Sequence, residues 1–150
     1  ELVRWEDFKN FKDLPAETIV KDLRANNNEL SVWEIDSLNE LEDVAIAFAT
    51  CGDKKITVEL VAIEQEKVRG KLEVSKSPSK TPYIRFKAKH CNICNLTFET
   101  LGKFAQMILD SKEDSKLCCE VDFNTIKSKV SRLIGSGQMT KKGLSDTFLI

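Results

Sequence analysis

The most chemically suggestive run in this chain is His90-Cys91-Asn92-Ile93-Cys94. Two cysteines separated by two residues can share a metal ion as thiolates, or form a disulfide with each other. A metal site needs further ligands, and His90 is the only histidine in the chain. Cys118 and Cys119 are further candidates, but adjacent residues on a strand point to opposite faces of a sheet. We therefore expect no metal and no cofactor, and we interpret these cysteines as small hydrophobic side chains at the end of a strand.

The spacing Cys91-x-x-Cys94-x-x-x-Phe98 resembles the first half of a zinc finger that uses two cysteines and two histidines. The resemblance covers residues 91–98 and implies a zinc ion held by both thiolates. Met107 and Ser111 stand where that family has its histidines. A metal or thiol site at Cys91 and Cys94 is therefore the last of the functional alternatives.

Other catalytic arrangements have less support in the sequence. A nucleophile paired with histidine requires His90, which continues the apolar positions of a predicted strand. The run Gly135-Ser136-Gly137 follows a predicted helix rather than a strand, which is the wrong order for a phosphate-binding loop. We expect that the chain is not an enzyme.

Residues 67–89 have the pattern of a basic, amphipathic β-hairpin. In the arms 67–74 and 83–89, apolar residues or glycine occupy the even positions, and charged residues or tyrosine occupy the odd positions. Because side chains alternate across a strand, one face covers a core while the other collects cations. Like charges opposed on a sheet are destabilising unless acidic residues or an anionic partner relieve them. The predicted binding face carries Arg69, Lys71, Tyr83, Arg85, Lys87 and Lys89.

The net charge of −1 conceals two opposite halves. Residues 1–64 carry 7 Lys/Arg and 15 Asp/Glu, whereas residues 65–150 carry 16 Lys/Arg and 9 Asp/Glu. Such asymmetry indicates an anionic partner, or two halves of a domain that screen each other. The acidic half contains a cluster that equally suits a basic target, made of Glu34, Asp36, Glu40, Glu42 and Asp43.

A predicted helix at 124–134 and the loop after it add further cations, and the pair suggests a recognition helix with a wing. A two-stranded ribbon fits the major groove, a basic face follows a phosphate backbone, and a tyrosine ring stacks on bases. We therefore predict a non-catalytic module that binds nucleic acid. The alternatives are a charged protein partner, as for an immunity, antitoxin-like or inhibitor protein, and a merely solvated surface. The added cations are Lys127, Lys129, Arg132, Lys141 and Lys142.

Periodicity and turn signals predict the elements that position these residues. Helices are expected at 5–11, from Pro15 to Leu23, from a Ser37/Glu40 capping box to Gly52, and around 101–108 with Asn95 or Thr97 as its cap. The last helix is expected to be capped by Asn124. Strands are expected at 30–35, 56–63 and 116–123, and an edge strand at 147–150.

Length and composition indicate a single domain over residues 1–150. We predict an α+β fold with a mixed or antiparallel sheet of five to six strands and helices packed on one face. No apolar run approaches the roughly 20 residues of a membrane span, so no membrane partner is expected. Five cysteines without a secretory signal fit a reducing compartment, and a cytoplasmic location is the expectation.

Overall fold

The computed structural model describes residues 4–52 and 56–149. The mixture of helices and strands in these ranges confirms the α+β class. The α-helices are α1 (Ala16–Asp22), α2 (Leu41–Ala49), α3 (Gln65–Val68), α4 (Phe98–Lys112) and α5 (Phe123–Gly135). The strands are β1 (Leu30–Trp33), β2 (Val58–Val61), β3 (Glu73–Lys76), β4 (His90–Cys94) and β5 (Cys118–Val121). Short 3-10 helices occur at Trp5–Asp7, Phe11–Asp13, Leu38–Glu40, Ile84–Lys89, Ser115–Leu117 and Asp146–Phe148.

The described strands form two small sheets. β4 lies between β1 and β3 in a three-stranded sheet, and β2 pairs with β5 in a two-stranded sheet. The prediction of one sheet with five to six strands is therefore wrong, and the packing of helices on one face stays a prediction. The five described strands are divided between the two sheets, and the strands expected at 83–89 and 147–150 are not formed in the described residues.

The predicted hairpin is wrong because most of its length is not extended. The first arm begins in helix α3 and turns at Gly70, whose φ of 82° lies in the left-handed region that favours glycine. Only the end of that arm, β3, is a strand. Most of the second arm is wound into the 3-10 helix Ile84–Lys89.

A period of three explains the second arm better than a period of two. Tyr83 and Phe86 are three residues apart and both are buried, whereas Ile84 and Ala88, which the hairpin would turn inward, are exposed. Three residues make one turn of a 3-10 helix, so Tyr83 and Phe86 share a face. A window of seven residues accommodates both periods, and packing on the core decides between them.

The longer helices agree with the periodicity that predicted them, although their caps differ in detail. Thr97 caps α4 through a reciprocal pair of hydrogen bonds with Thr100, as one of the two expected caps. Asp122 caps α5 by accepting from the Thr125 N–H, so the prediction of Asn124 as the cap is wrong. Ser37 accepts from the Asn39 N–H and begins a 3-10 turn that leads into α2.

The two ends of the chain depart from the predicted regular elements. The helix expected at 5–11 is replaced by the 3-10 turns Trp5–Asp7 and Phe11–Asp13. The edge strand expected at 147–150 is also wrong, because Asp146–Phe148 forms a 3-10 turn capped by Ser145. Ile150 lies outside the described residues.

The chain divides into two compact units by its internal contacts. The first unit contains the chain up to Val32, together with Val61–Ser75 and Asn92–Cys118. Its core gathers around the apolar side of α4. The buried residues of this core include Trp5, Leu14, Leu72, Ile93, Leu96, Phe104, Ile108 and Leu109.

The second unit contains Trp33–Leu60, Lys76–Cys91 and the chain from Cys119 onward. In its core α2 packs against α5, and the buried rings of Tyr83, Phe86 and Phe148 belong to the same cluster. Ile126 and Val130 form the buried side of α5. The single domain over residues 1–150 stays a prediction.

Of the helices in the described ranges, none combines the length and the apolar character that a membrane span requires.

Candidate functional site

The Cys91/Cys94 pair is placed on a strand in a way that separates the two thiols. Both residues lie on β4, three positions apart, so their side chains leave opposite faces. Cys91 is buried with its thiol directed at the Glu34 carboxylate, and burial raises the pKa of this thiol. Cys94 lies 3.2 Å from the Ser75 hydroxyl. Within residues 4–52 and 56–149, no group of three or more His, Cys, Asp or Glu side chains is arranged to hold a metal ion.

Tyr83 and Arg85 converge on one acidic side chain of α2 in the second unit. The Tyr83 hydroxyl donates to Asp43 Oδ1 at 2.9 Å, and Arg85 Nη2 donates to Asp43 Oδ2 at 3.1 Å. Tyr83 is 1% exposed, and burial raises the pKa of its hydroxyl. A ring so enclosed is inaccessible for stacking on a base, so its expected role on a binding surface has no geometric support.

Lys89 and Lys76 are likewise held by acidic residues of the same unit. Lys89 Nζ lies 2.7 Å from Glu40 Oε1 and 3.4 Å from Asp36 Oδ2, and Lys76 Nζ lies 2.8 Å from Glu34 Oε2. The hydrogen bond from Lys89 lowers the pKa of the Glu40 carboxyl, and the same hydrogen bond raises the pKa of Lys89. We refer to the following eight residues as the ion-pair network: Glu34, Asp36, Glu40, Asp43, Lys76, Tyr83, Arg85 and Lys89.

The Phe86 ring packs against two cations of the ion-pair network, Arg85 and Lys89. The Arg85 guanidinium lies 4.7 Å from the centroid of the Phe86 ring, and the Lys89 ammonium lies 5.3 Å from it. Phe86 itself is fully buried in the core of the second unit. Cations above a buried ring and beside carboxylates are held in place and electrostatically satisfied. The geometry therefore assigns Arg85 and Lys89 a structural role first.

The other cations of the expected hairpin face are scattered. Arg69 and Lys71 belong to the first unit, where Arg69 Nη2 donates to Gln65 Oε1 at 2.7 Å and Lys71 is exposed in a turn. Lys87 is exposed on the 3-10 helix of the second unit. The continuous charged ladder on one sheet face, which motivated the prediction, is not formed.

The cations of α5 have a different environment. Ile126 and Val130 anchor the helix in the core, while Arg132 is exposed and Lys127 is half-buried. Lys129 contacts the carboxylate of Glu42 on α2. Among the described residues, Lys127 and Arg132 have no acidic group within ion-pair distance. The same holds for Lys141 and Lys142, which are exposed in the loop that follows.

Residues 123–145 contain five Lys/Arg and no Asp or Glu. We call this stretch the basic segment. Its absence of acidic residues is visible in the sequence. On α5, positions 124, 127, 128, 131 and 132 share one helical face and hold Asn, Lys, Ser, Ser and Arg. This face combines cations with small hydrogen-bonding side chains.

A cleft of about 340 Å³ lies beside this face, and we call it the α2–α5 cleft. α2 contributes an apolar and an acidic side chain, α5 contributes two cations and a leucine, and the chain after α5 contributes a hydroxyl and an amide. The lining residues are Asp43, Ile46, Lys129, Arg132, Leu133, Ser136 and Gln138. Lys129 and Arg132 are predicted site residues. Ser136 entered the sequence analysis only within the run Gly135-Ser136-Gly137, and no local pattern distinguishes Gln138.

Hydrogen bonds fix the turn that carries Ser136 and Gln138. Gly137 has φ of 77°, and its N–H donates to the Ile134 carbonyl at 3.1 Å. The Gln138 N–H donates to the Leu133 carbonyl at 3.0 Å, and the Gln138 carbonyl accepts from the Ile84 N–H at 3.1 Å. A left-handed glycine that ends a helix in this way is a common helix terminus. The backbone at the cleft is therefore held from both sides.

The chain matches no protein-family model, and neither the curated proteins nor the solved structures contain a match to it. Its candidate function therefore depends on the chemistry of its own residues.

Proposed function

We propose that the chain is a non-catalytic module that binds nucleic acid through the basic segment. The observation that carries the proposal is that Arg132, Lys141 and Lys142 are exposed and, among the described residues, have no acidic group within ion-pair distance. Cations without an intramolecular counterion attract the phosphate backbone and release its condensed counterions on binding. The site residues Lys127, Lys129 and Arg132 keep their proposed role.

The proposal moves the centre of binding away from residues 67–89. Arg85 and Lys89 already have carboxylates within 3.5 Å, so a phosphate has to compete with Glu40 and Asp43 for them. Arg69, Lys71 and Lys87 remain secondary contacts that add to the field around the protein. The five free thiols support a cytoplasmic location for this activity.

The test is a titration with fluorescein-labelled 12-nucleotide DNA and RNA, single-stranded and duplex, at about 50 mM and about 200 mM salt. Three phosphate contacts imply that affinity falls by about 20- to 40-fold between these concentrations. The double variant K127E/R132E is expected to lose binding. The control K21E/R24E makes the same charge change on exposed residues of the first unit and is expected to bind nearly as well as the wild type. No binding to any of the oligonucleotides at about 50 mM salt overturns the proposal.

A charged protein partner is the second candidate, and Phe98 is the observation that favours it. This ring stands at the start of α4, next to Glu99 in the sequence, and is 95% exposed. A large exposed aromatic side chain is typical of a protein interface. If oligonucleotides fail to bind, a polypeptide that copurifies stoichiometrically from the native host and is lost in Phe98→Ser supports this candidate.

A further inference from the structure

We propose that the α2–α5 cleft receives a single unpaired nucleotide, so that the protein prefers single-stranded nucleic acid over duplex. This inference rests on the proposed function and specifies its ligand. The cleft volume of about 340 Å³ is near the lower end of the range for small-molecule sites, which suits one small ligand of nucleotide size. The cleft also shares Lys129 and Arg132 with the basic segment.

The cleft offers both an apolar surface and a hydrogen-bonding edge, as a nucleobase requires. Leu133, which is half-buried, supplies aliphatic carbon for the face of a base, and Ile46 also lines the cleft but is itself buried. Around them, the Gln138 amide has two N–H donors and an acceptor, and one of its N–H groups reaches Ser136 Oγ at 3.0 Å. Each oxygen of Asp43 accepts one hydrogen bond from the protein and has a second lone pair. Together these groups can satisfy the donors and acceptors on the edge of a base.

The charges around the cleft suit a phosphate despite the presence of a carboxylate. Arg85 lies 3.1 Å from Asp43 and compensates its negative charge. Lys129 compensates Glu42 in the same way. Arg132, exposed and without an acidic partner among the described residues, supplies the net positive charge and a planar group for two phosphate oxygens. Arg85 and Lys129 thus offset the negative charge of Asp43 and Glu42, which would otherwise repel the phosphate of the ligand.

The cleft is preformed, which limits the entropy lost on binding. The turn at Gly137 and the hydrogen bond from the Ile84 N–H hold the backbone of Gln138, and the next residue, Met139, is buried. The Tyr83 hydroxyl and Arg85 orient Asp43 from the other side. A rigid, partly apolar recess favours an already unstacked base.

Duplex bases are paired and stacked, so a duplex must expel a base before the cleft can accept it. That step is unfavourable for an intact duplex and much less so for a single strand. We therefore expect tighter binding of a single-stranded 12-nucleotide DNA than of the duplex of the same sequence. The preference for a single strand over a duplex should depend on the cleft, whereas the affinity for both forms of nucleic acid should depend on the whole basic segment.

Gln138→Ala and Lys141→Ala separate these two contributions in the same titration at about 50 mM salt. Gln138→Ala keeps the backbone bonds of the turn and removes only the amide, so single-strand affinity should fall by about threefold to tenfold while duplex affinity stays unchanged. Lys141→Ala, outside the cleft lining, should weaken both ligands by the same factor. Equal binding of single strand and duplex, with no effect of Gln138→Ala, overturns the inference and leaves the proposed function standing. Failure of both ligands to bind overturns the two together.

Discussion

Two segments of the second unit have the same charge composition and opposite electrostatic environments. Residues 76–89 and residues 123–145 each contain five Lys/Arg and no Asp or Glu. In the first segment, Lys76, Arg85 and Lys89 meet carboxylates from residues 34–43. In the second, Lys129 alone has an acidic partner among the described residues. Cationic composition alone therefore does not identify a binding surface. The fold brings acidic side chains to some cations and not to others, and the cations left without an acidic partner are the candidates for binding.

The contrast also explains the charge asymmetry along the chain. Residues 34–43 hold five acidic residues and no cation, and four of them contact residues 76–89. Opposite charges that are distant in sequence neutralise each other within this unit, as one of the two explanations of the asymmetry anticipated. Among the described cations of this unit, Lys80 and Lys87 also have no acidic partner, but the larger group without one lies on the basic segment, and we propose that a phosphate backbone uses this surplus.

The largest expected effect comes from removing the ring under the ion-pair network. Phe86→Ala deletes a fully buried side chain and the surface on which Arg85 and Lys89 lie. We expect the free energy of unfolding in urea to fall by about 3 to 5 kcal/mol. Phe98→Ala is the matched control, because its ring is 95% exposed, and it should change stability by about 0.5 kcal/mol or less. If the free energy of unfolding falls by similar amounts in the two variants, the buried Phe86 ring does not stabilise the ion-pair network.

A smaller loss is expected from removing the shared carboxylate of the network. Glu40 is 14% exposed at its side chain, lies 2.7 Å from Lys89, and accepts the Asp36 N–H at 2.8 Å. Glu40→Gln should lower the free energy of unfolding by about 1 kcal/mol. The control Glu99→Gln breaks an exposed pair with Lys103 one helical turn away and should cost about 0.3 kcal/mol. If both variants are equally stable, the network contributes no more than an ordinary surface pair.

The decrease in the free energy of unfolding at acid pH should also depend on the Glu40 carboxylate. The pKa of Glu40 in the folded protein lies below its ordinary value of 4.5, because Lys89 and the Asp36 N–H favour the ionised form. The unfolded chain therefore binds the proton more readily, and the stabilisation is present above pH 4.5 and is lost as pH falls through the folded-state pKa. In urea titrations between about pH 3 and pH 6, the stability difference between wild type and Glu40→Gln should narrow on the acid side. A difference that is constant or widens in acid contradicts this assignment.

The sequence predicted well the long helices, because helical periodicity depends on residues that are close together in the sequence. The helical period near 101–108 and 124–134 extends over several turns, and α4 and α5 occupy those regions. The hairpin failed because seven residues around Phe86 fit a strand and a 3-10 helix equally well, and burial of Tyr83 and Phe86 in the same core selects the helix.

The candidate site depends on contacts that no local pattern encodes. Tyr83 reaches Asp43 across 40 positions, and Lys89 reaches Glu40 across 49. Without those pairings, Arg85 and Lys89 look as available as Arg132. Gln138 gains its place from a glycine turn and a backbone bond to Ile84. The exposed cations of α5 could be predicted because helical periodicity alone turns Ile126 and Val130 inward.

The contrast between the two basic segments is tested most directly by the salt dependence of oligonucleotide binding in two double variants. K127Q/R132Q removes two charges from the basic segment, and K76Q/K89Q removes two from the ion-pair network at residues that do not contact the cleft lining; circular dichroism verifies that each is folded. For a single-stranded 12-nucleotide DNA, K127Q/R132Q should reduce the slope of log affinity against log salt by about 1.4, and K76Q/K89Q should leave it unchanged. The opposite outcome, a slope reduced in K76Q/K89Q and retained in K127Q/R132Q, would place binding on residues 76–89 and contradict the central claim.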